Sequence, residues 1–380
     1  MADNRIRFGI LGCARIARKV SRAIILSPNA TIQAIGSRSL DTARKFAAEN
    51  GFSDTVTLYG SYGEVLDDPR VDAVYVPLPT SLHLEWAVVA AEKKKHVLLE
   101  KPTALRVSDL DQILGACQSN GVQFMDGTMW MHHPRTHKMR EMLSSPTLFG
   151  QLKAVIPSTV LGILAGHMQF LPSLVHSTFG YFGDSDFLEK DVRVNPDLDS
   201  LGALGDVGWY CIRAILWAAD YQLPKTVAAL PDPVFNKAGV VLTCGASLQW
   251  EDGKTATFLC SFQFNLAMDV TVLGTKGTLH LHDFVIPFQE SSAKFSLASQ
   301  SGFNDLATGW TPMPGEHAIL TELPQEALMV KEFSSLVASI RDCGSTPDVK
   351  WSTITRKTQL ILDAVKASLD KDCVPVDIAD

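Results

Sequence analysis

Residues 8–17 read Phe8-Gly9-Ile10-Leu11-Gly12-Cys13-Ala14-Arg15-Ile16-Ala17, and this stretch decides the fold. A short apolar run, Ile6 to Leu11, ends in glycine. Beyond it Ile16, Val20, Ala23 and Ile24 recur on one face of a helix that reaches Leu26. A buried strand turning through glycine into a helix is the opening half of a βαβ unit. Aligned on Gly12, the turn is G-x-A-x-x-A where a dinucleotide fingerprint has G-x-G-x-x-G/A. The fingerprint needs a tight turn, then close backbone approach to a pyrophosphate, then close helix-on-strand packing. Gly12 and Ala17 meet the first and third demands, while Ala14 puts a methyl group at the second. The helix start at Arg15 and Ile16 would turn its N–H groups to the phosphates. An ordinary glycine turn has the same pattern, so the surrounding chain has to decide.

Outward from this turn, strand and helix signals alternate. Thr31–Gly36 reads as a second strand, with Ser39 capping a helix over Leu40–Asn50. Ala73–Val76, His96–Leu99 and Val122–Met125 read as further strands, and Leu82–Lys94 as a helix. Ser108-x-x-Asp111 reads as a capping-box start for another helix. After Asp126 the rhythm changes. Gln151–Val160 is strand-like, and Asp206–Ala219 is an apolar helix. Leu242, Cys244, Ala246, Leu248 and Trp250 alternate at period two, as do Ala256, Phe258, Cys260, Phe262 and Phe264. Gly277–His282 follows a turn. Residues 287–325 show no clear period, and 326–342 and 352–369 read as helices. The predicted class is α/β. A Rossmann doubly wound parallel sheet occupies residues 1–126. Residues 127–380 form a C-terminal α+β domain with an open, mainly antiparallel sheet. The last helix is expected to pack back on the first domain.

Composition sets the outer bounds. The 380 residues are 46% hydrophobic and 20% charged, with a net charge of -7, which suits two globular domains and speaks against a nucleic-acid partner. Seven scattered cysteines without a C-x-x-C pair, a start without a signal-peptide profile and no long apolar run give the expectation of a cytoplasmic chain with no membrane partner. Cys13 lies inside the presumptive phosphate turn. His132, His133 and His137 lack a nearby acid or cysteine, and His280-x-His282 reads as an exposed strand face. The sequence expectation is therefore no metal. Lys93-Lys94-Lys95 reads as a solvated helix end.

The second strand ends in Gly36-Ser37-Arg38-Ser39, without the acid that usually accepts the ribose 2′-hydroxyl of NAD. An arginine fork and serine hydroxyls suit a 2′-phosphate instead, so the expected cofactor is NADP or NADPH. The fourth predicted strand ends in Leu99-Glu100-Lys101-Pro102, where open α/β sheets bind their ligands. The third leaves through Pro77-Leu78-Pro79-Thr80-Ser81-Leu82-His83, a rigid loop able to lie against a flat ring.

These pieces together resemble the glucose-fructose oxidoreductase, inositol dehydrogenase and MocA family. Met129-Trp130-Met131-His132-His133-Pro134, Gly202-Ala203-Leu204-Gly205-Asp206-Val207-Gly208-Trp209-Tyr210 and Gly274-Thr275-Lys276-Gly277 continue the likeness along nearly the whole chain. It is nearest to a plant-type branch holding dimeric dihydrodiol dehydrogenase and NADP-dependent xylose dehydrogenase. The resemblance implies that Lys101 lies in the active site and that Asp206-x-x-x-Tyr210 supplies the second domain's catalytic pair, with Tyr210 where inositol dehydrogenases carry histidine. It places the cofactor on Gly12, Ala14, Arg15, Ile16, Ser37, Arg38, Leu78, Pro79, His83, Glu100 and Lys101, and the substrate near Trp130, His133, Arg193 and Asn195. It also implies a homodimer formed through the open sheet. Ala14, Met131 and Leu201 depart from the usual family residues. The residues themselves agree about the pair. Asp206 and Tyr210 are i and i+4 on one helical face, with Asp206 at the amino end, and glycines at 202, 205 and 208 would let backbone approach a ligand.

The function expected from this is NADP(H)-dependent hydride transfer at a CH–OH or C=O carbon of a sugar, cyclic polyol or dihydrodiol. Tyr210 or Lys101, both near 10 when unperturbed, would move the proton, and Asp206 would support them. Reduction of a carbonyl or imine in specialised metabolism is the alternative chemistry. An NADP-binding sensor or scaffold is the alternative without turnover.

Overall fold

The computed structural model describes residues 4–52, 54–152, 175–304 and 309–378. The predicted strand over Gln151–Val160 falls mostly outside these residues. The chain divides into two compact units. The first comprises Met1–His133, Asp197–Ser200 and Thr321–Gln359, and the second comprises the remainder.

In the first unit β1 (Ile6–Leu11), β2 (Ala30–Gly36), β3 (Thr57–Tyr59), β4 (Ala73–Val76), β5 (His96–Leu99) and β6 (Phe124–Asp126) form one sheet in the order β3-β2-β1-β4-β5-β6. All five pairings are parallel. The order reverses between β1 and β4, and the carboxyl ends of strands at such a reversal are where doubly wound sheets take their ligands. The central strands are apolar and buried on both faces, as Phe8, Ile10, Val74, Tyr75 and Leu98 show. Helices α1 (Arg15–Leu26), α2 (Leu40–Glu49), α3 (Tyr62–Asp67), α4 (His83–Glu92) and α5 (Val107–Asn120) make the connections. The sequence reading lacks β3 and α3, which are too short to carry a period. Its capping box at Ser108 is incorrect. Helix α5 begins at Val107, with Arg106 at the cap position and no side-chain cap, so Ser108 already lies inside the first turn. Ser39 holds the cap position of α2 without making a side-chain cap bond.

The second unit contains α6 (Pro134–Leu143), β7 (Val175–Gly180), α7 (Ser185–Lys190) and α8 (Trp209–Ala218). Its strands continue with β8 (Thr226–Ala229), β9 (Val234–Phe235), β10 (Val241–Gln249), β11 (Thr255–Ser261), β12 (Ala267–Leu273) and β13 (Gly277–Leu281). Then come β14 (Ser292–Ser299), β15 (Gly302–Phe303), β16 (Trp310–Thr311), β17 (Gly315–Leu320) and β18 (Val376–Asp377). The large sheet runs β17-β14-β13-β12-β7-β11-β10-β8-β18, with β9 on β10. Among the described strands of this sheet only the β7–β11 pairing is parallel, so the expected open, mainly antiparallel sheet is present. The predicted inward faces hold, since Leu242, Cys244, Ala246, Leu248, Ala256, Phe258, Cys260 and Phe262 are all buried. Residues 287–325, aperiodic in sequence, supply β14 to β17.

Two long helices close the chain, α9 (Gln325–Cys343) and α10 (Lys350–Leu369). Helix α9 and the first half of α10 cluster with the first unit. There α9 packs on α1, and Lys19 pairs with the buried Glu326 at 2.5 Å. No described helix is long and apolar enough to cross a membrane.

Candidate active site

In the first unit the turn after β1 is built for close approach. Gly12 has φ +114°, and a Cβ there would stand 3.0 Å from Leu78 Cδ2, so only glycine suits the position. Its N–H donates to the Gly36 carbonyl at 2.8 Å, tying the end of β1 to the end of β2. Ala14 occupies the cap position of α1 without a side-chain cap, and the first turn at Arg15 and Ile16 carries no acid. The orphan N–H groups and the positive end of the helix are thus left to meet an anion.

Ser37 is buried and Arg38 exposed at the end of β2. Ser37 hydrogen-bonds the Cys13 thiol, which burial nonetheless pushes above its ordinary pKa. That leaves Cys13 mostly protonated at neutral pH and a poor thiolate nucleophile. Tyr62, absent from the sequence reading, stands between these pieces. Burial raises its phenol, and Arg38 opposes that shift by charge and hydrogen bond. Its ring packs edge-on against Trp86, with centroids 5.0 Å apart. Gly12, Ser37, Arg38 and Tyr62 thus make a cradle with one fixed positive charge and no carboxylate, which fits a dinucleotide bearing an extra phosphate.

The loop after β4 is held from behind by His83. Its Nε2 lies 2.9 Å from the Leu78 carbonyl and its Nδ1 3.3 Å from the Thr103 carbonyl. Burial lowers its pKa to about 4, so the ring is neutral at pH 7. The imidazole is only 1% exposed. A neutral imidazole carries one N–H, so His83 donates to one of these two carbonyls and packs between the Leu78-Pro79 loop and Thr103. The resemblance had placed it among cofactor contacts.

The end of β5 is anchored by a buried carboxylate. Glu100 Oε1 accepts from Tyr75 Oη at 2.5 Å, and Oε2 accepts from the Lys101 backbone N–H at 3.2 Å. Burial raises the Glu100 pKa, while Tyr75 and the Lys101 charge pull it back. Lys101 itself is half-buried, and its peptide bond to Pro102 is cis. Trp130 and His133, expected near substrate, are 2% and 1% exposed within this unit. His132 is engaged by Glu332 at 2.9 Å and stacks on Trp351.

In the second unit Asp206 is the hub. One carboxylate oxygen accepts from Tyr181 Oη at 2.9 Å, and the other lies 3.2 Å from Arg193 Nε. Arg193 also reaches Asp191 at 3.0 Å. Flanked by two carboxylates, its guanidinium is held well above its ordinary pKa, against the opposing effect of burial. Burial, and then the Asp206 charge, raise the Tyr181 phenol. Tyr210 is 4% exposed and packs its ring on Phe179, centroids 5.6 Å apart. Asn195 is half-buried.

Two details of the sequence reading need correction here. Asp206 is not at the amino end of a plain α-helix. The helical turn opens at Gly202, and Leu204–Gly208 is a π turn that runs into α8, a device common at functional sites. The glycines of this segment also serve the protein interior. Gly202 has φ +58°, and a Cβ there would meet the Val241 carbonyl oxygen at 2.2 Å, while one on Gly208 would meet Cys260 Sγ at 3.2 Å. Tyr181, like Tyr62, was missed, because a lone tyrosine just past a strand carries no spacing signal.

Residues 6–128 match the family model described as oxidoreductase family, NAD-binding Rossmann fold. Residues 172–280 match the GFO/IDH/MocA C-terminal domain. The chain is 30% identical to an uncharacterized oxidoreductase, ORF334, of Rhizobium meliloti, over 96% of this chain and 97% of that protein. It is 31% identical to D-xylose 1-dehydrogenase (NADP(+)) 2 of Haloferax volcanii, over 72% of this chain and 74% of the other. Among solved structures, a 3-ketoreductase from Actinomadura kijaniata in complex with NADP and TDP-benzene superposes with a TM-score of 0.77 at 24% identity. That match covers 96% of this chain and 98% of the other.

Proposed function

This chain belongs to the GFO/IDH/MocA family of oxidoreductases, and from that premise we propose that it uses NADP(H) to interconvert a carbinol and a carbonyl carbon on a sugar, cyclic polyol or dihydrodiol. The observation that carries this reading is the end of β2. There Ser37 and Arg38 stand beside Tyr62 with no acid to repel a 2′-phosphate. Kinship with an enzyme named for xylose and NADP supports both the cofactor and the substrate class.

Gly12, Ala14, Arg15 and Ile16 would receive the pyrophosphate, Ser37 and Arg38 the 2′-phosphate, and Leu78, Pro79, Glu100 and Lys101 would border the nicotinamide end. When bound, the dinucleotide supplies or accepts the hydride. The protein's task is then to move one proton at the substrate oxygen and to orient that oxygen. Tyr210 Oη and Lys101 Nζ are the groups assigned to this task. The Asp206 carboxylate, fixed by Tyr181 and Arg193, supplies a negative charge beside Tyr210 that steadies a cationic partner. Trp130, His133 and Asn195 are assigned to shaping the substrate site, and Arg193 acts through Asp206. Pairing of two copies through the open face of the large sheet, in the cytoplasm, completes the proposal.

The test is turnover of NADP and NADPH against a panel of aldoses, polyols, dihydrodiols and ketones, repeated with Lys101→Met and Tyr210→Phe. Losses of about a hundredfold or more in kcat, with the thermal shift by NADP retained, support the assignment. Undiminished turnover in both variants overturns it. Tight NADP binding with no turnover on any class would favour a sensor.

A further inference from the structure

The acid beside His280 and His282 in sequence, Asp283, is buried and pairs with Arg135. The register of the large sheet provides another. Strands β12 and β13 pair antiparallel with Val270 opposite Leu281 and Thr271 opposite His280. One step further along this ladder Asp269 stands across from His282, and alternation puts all three side chains on the same face. That face is the outward one, since Met268, Val270, Leu279 and Leu281 point into the core. We infer that Asp269, His280 and His282 form a binding site for a divalent transition metal of the zinc type, separate from the oxidoreductase centre.

The geometry and donor chemistry carry the assignment. One ligand atom from each residue lies within 4.8 Å of the other two. His282 Nδ1 is already 2.5 Å from an Asp269 carboxylate oxygen, and the two imidazole centroids are 4.1 Å apart. Ligand bonds of 2.0–2.2 Å in a tetrahedron require donor separations of roughly 3.4 Å. A bound ion would draw the farther donors together by about an ångström and open the His282–Asp269 contact by a similar amount. The His282 side chain, 62% exposed, has the torsional freedom to supply both without backbone movement. Two imidazoles and one carboxylate make the donor set of an open zinc site, with water in the fourth position. Strands on both sides hold the ladder, so the ligands are presented by a rigid scaffold. His176 continues the row on β7 but is already held by Thr257 Oγ1 at 2.9 Å and Thr178 Oγ1 at 3.0 Å, so it serves as a flank.

The experiment titrates the full chain, first stripped with a chelator, with Co²⁺ and then with Zn²⁺. The expected result is one Co²⁺ per chain with the strong visible absorption of a four-coordinate ion, displaced by an equivalent of Zn²⁺. Zinc should also raise the unfolding temperature. His282→Gln and Asp269→Asn should each weaken binding by about tenfold or more and abolish the zinc-dependent rise, with unfolding unchanged in the absence of metal. If one variant is unstable without metal, His280→Gln provides the same comparison. Failure to bind Co²⁺ or Zn²⁺ would reduce the cluster to a hydrogen-bonded His282–Asp269 pair and overturn the proposal. Binding unaltered in the variants would overturn it equally. So would a sulfur-to-cobalt charge-transfer band, which would move the metal to the exposed Cys343 or the half-buried Cys373.

Discussion

Replacement of Arg38 by leucine should shift cofactor choice without disturbing the fold. The side chain is exposed at the end of β2, beside Tyr62, and the nearest acid in sequence, Asp41, pairs with Arg44 on α2. A charge-assisted hydrogen bond contributes about 1.5–3 kcal/mol when well shielded, and exposure to solvent and salt lowers that figure toward about 1–2 kcal/mol. The expected loss in kcat/KM for NADPH is therefore roughly 5–30-fold. The value for NADH should stay within about a factor of two, because NADH has no 2′-phosphate to lose a partner. Raising the ionic strength should weaken NADPH use in the parent protein and leave the variant nearly flat. Steady-state kinetics with both cofactors at two salt concentrations measure all four quantities. An NADPH-to-NADH ratio unchanged by the substitution would refute the cradle reading of Ser37, Arg38 and Tyr62. Equal losses for the two cofactors would refute it as well, because they would signal general damage to the turn.

Three further outcomes follow from the described contacts. Asp206→Asn removes the charge that holds Arg193 and leaves Tyr181 a neutral amide oxygen in place of a carboxylate, so kcat should fall about a hundredfold with KM for NADPH unchanged, and Tyr181→Phe should cost about tenfold; stopped-flow reduction measures both. Gly202→Ala forces a Cβ against the Val241 carbonyl in a left-handed conformation, and urea denaturation should show a loss of about 2–4 kcal/mol. His83 and His96 are both lowered from 6.5 to about 4 by burial, so the folded state binds fewer protons than the unfolded one. Their stabilising contribution is complete above about pH 6.5 and is lost as the pH falls toward 4, at most about 3 kcal/mol for each. Unfolding temperatures measured across that window should drop, and His96→Gln should flatten the slope.

How much of this was legible in the sequence depended on range. The nucleotide half is local: β1, the Gly12 turn and α1 adjoin in sequence, and β4 and β5 fall on the predicted residues, because buried parallel strands are short apolar runs with sharp ends. Lys101 and the Asp206–Tyr210 pair are proposed from motifs that lie within a few residues of chain. Tyr62 and Tyr181 were invisible because their roles arise only when separate strand ends converge. The π turn at 204–208 was read as plain helix, since an extra residue in a turn changes hydrogen-bond register and not composition. The capping box at Ser108 shows the opposite failure, a local motif overruled by a helix that starts one residue earlier. The Asp269–His280–His282 cluster is the extreme case. His280-x-His282 has the period of one strand, and its acid comes from the next strand, through a pairing register that sequence spacing does not encode.

The two buried carboxylates at the carboxyl ends of β5 and β6 explain why a lysine can be fixed at an otherwise open strand end. Glu100 and Asp126 lie on adjacent strands, and each raises the cost of ionising the other. Each is offset by neutral donors: Tyr75 and the Lys101 N–H for Glu100, and Thr128 and Thr355 for Asp126. Thr355 arrives on α10, more than two hundred residues along the chain, so the last long helix is part of what holds the strand end in place. Hydroxyl and amide donors satisfy a carboxylate without neutralising it. Glu100 thereby links the side chain of Tyr75 on β4 to the Lys101 backbone, which fixes the peptide that carries the lysine. The strand end that presents Lys101 is in this way held by two adjacent strands and the last long helix, which is what a residue assigned to move a proton at a substrate oxygen needs from its scaffold.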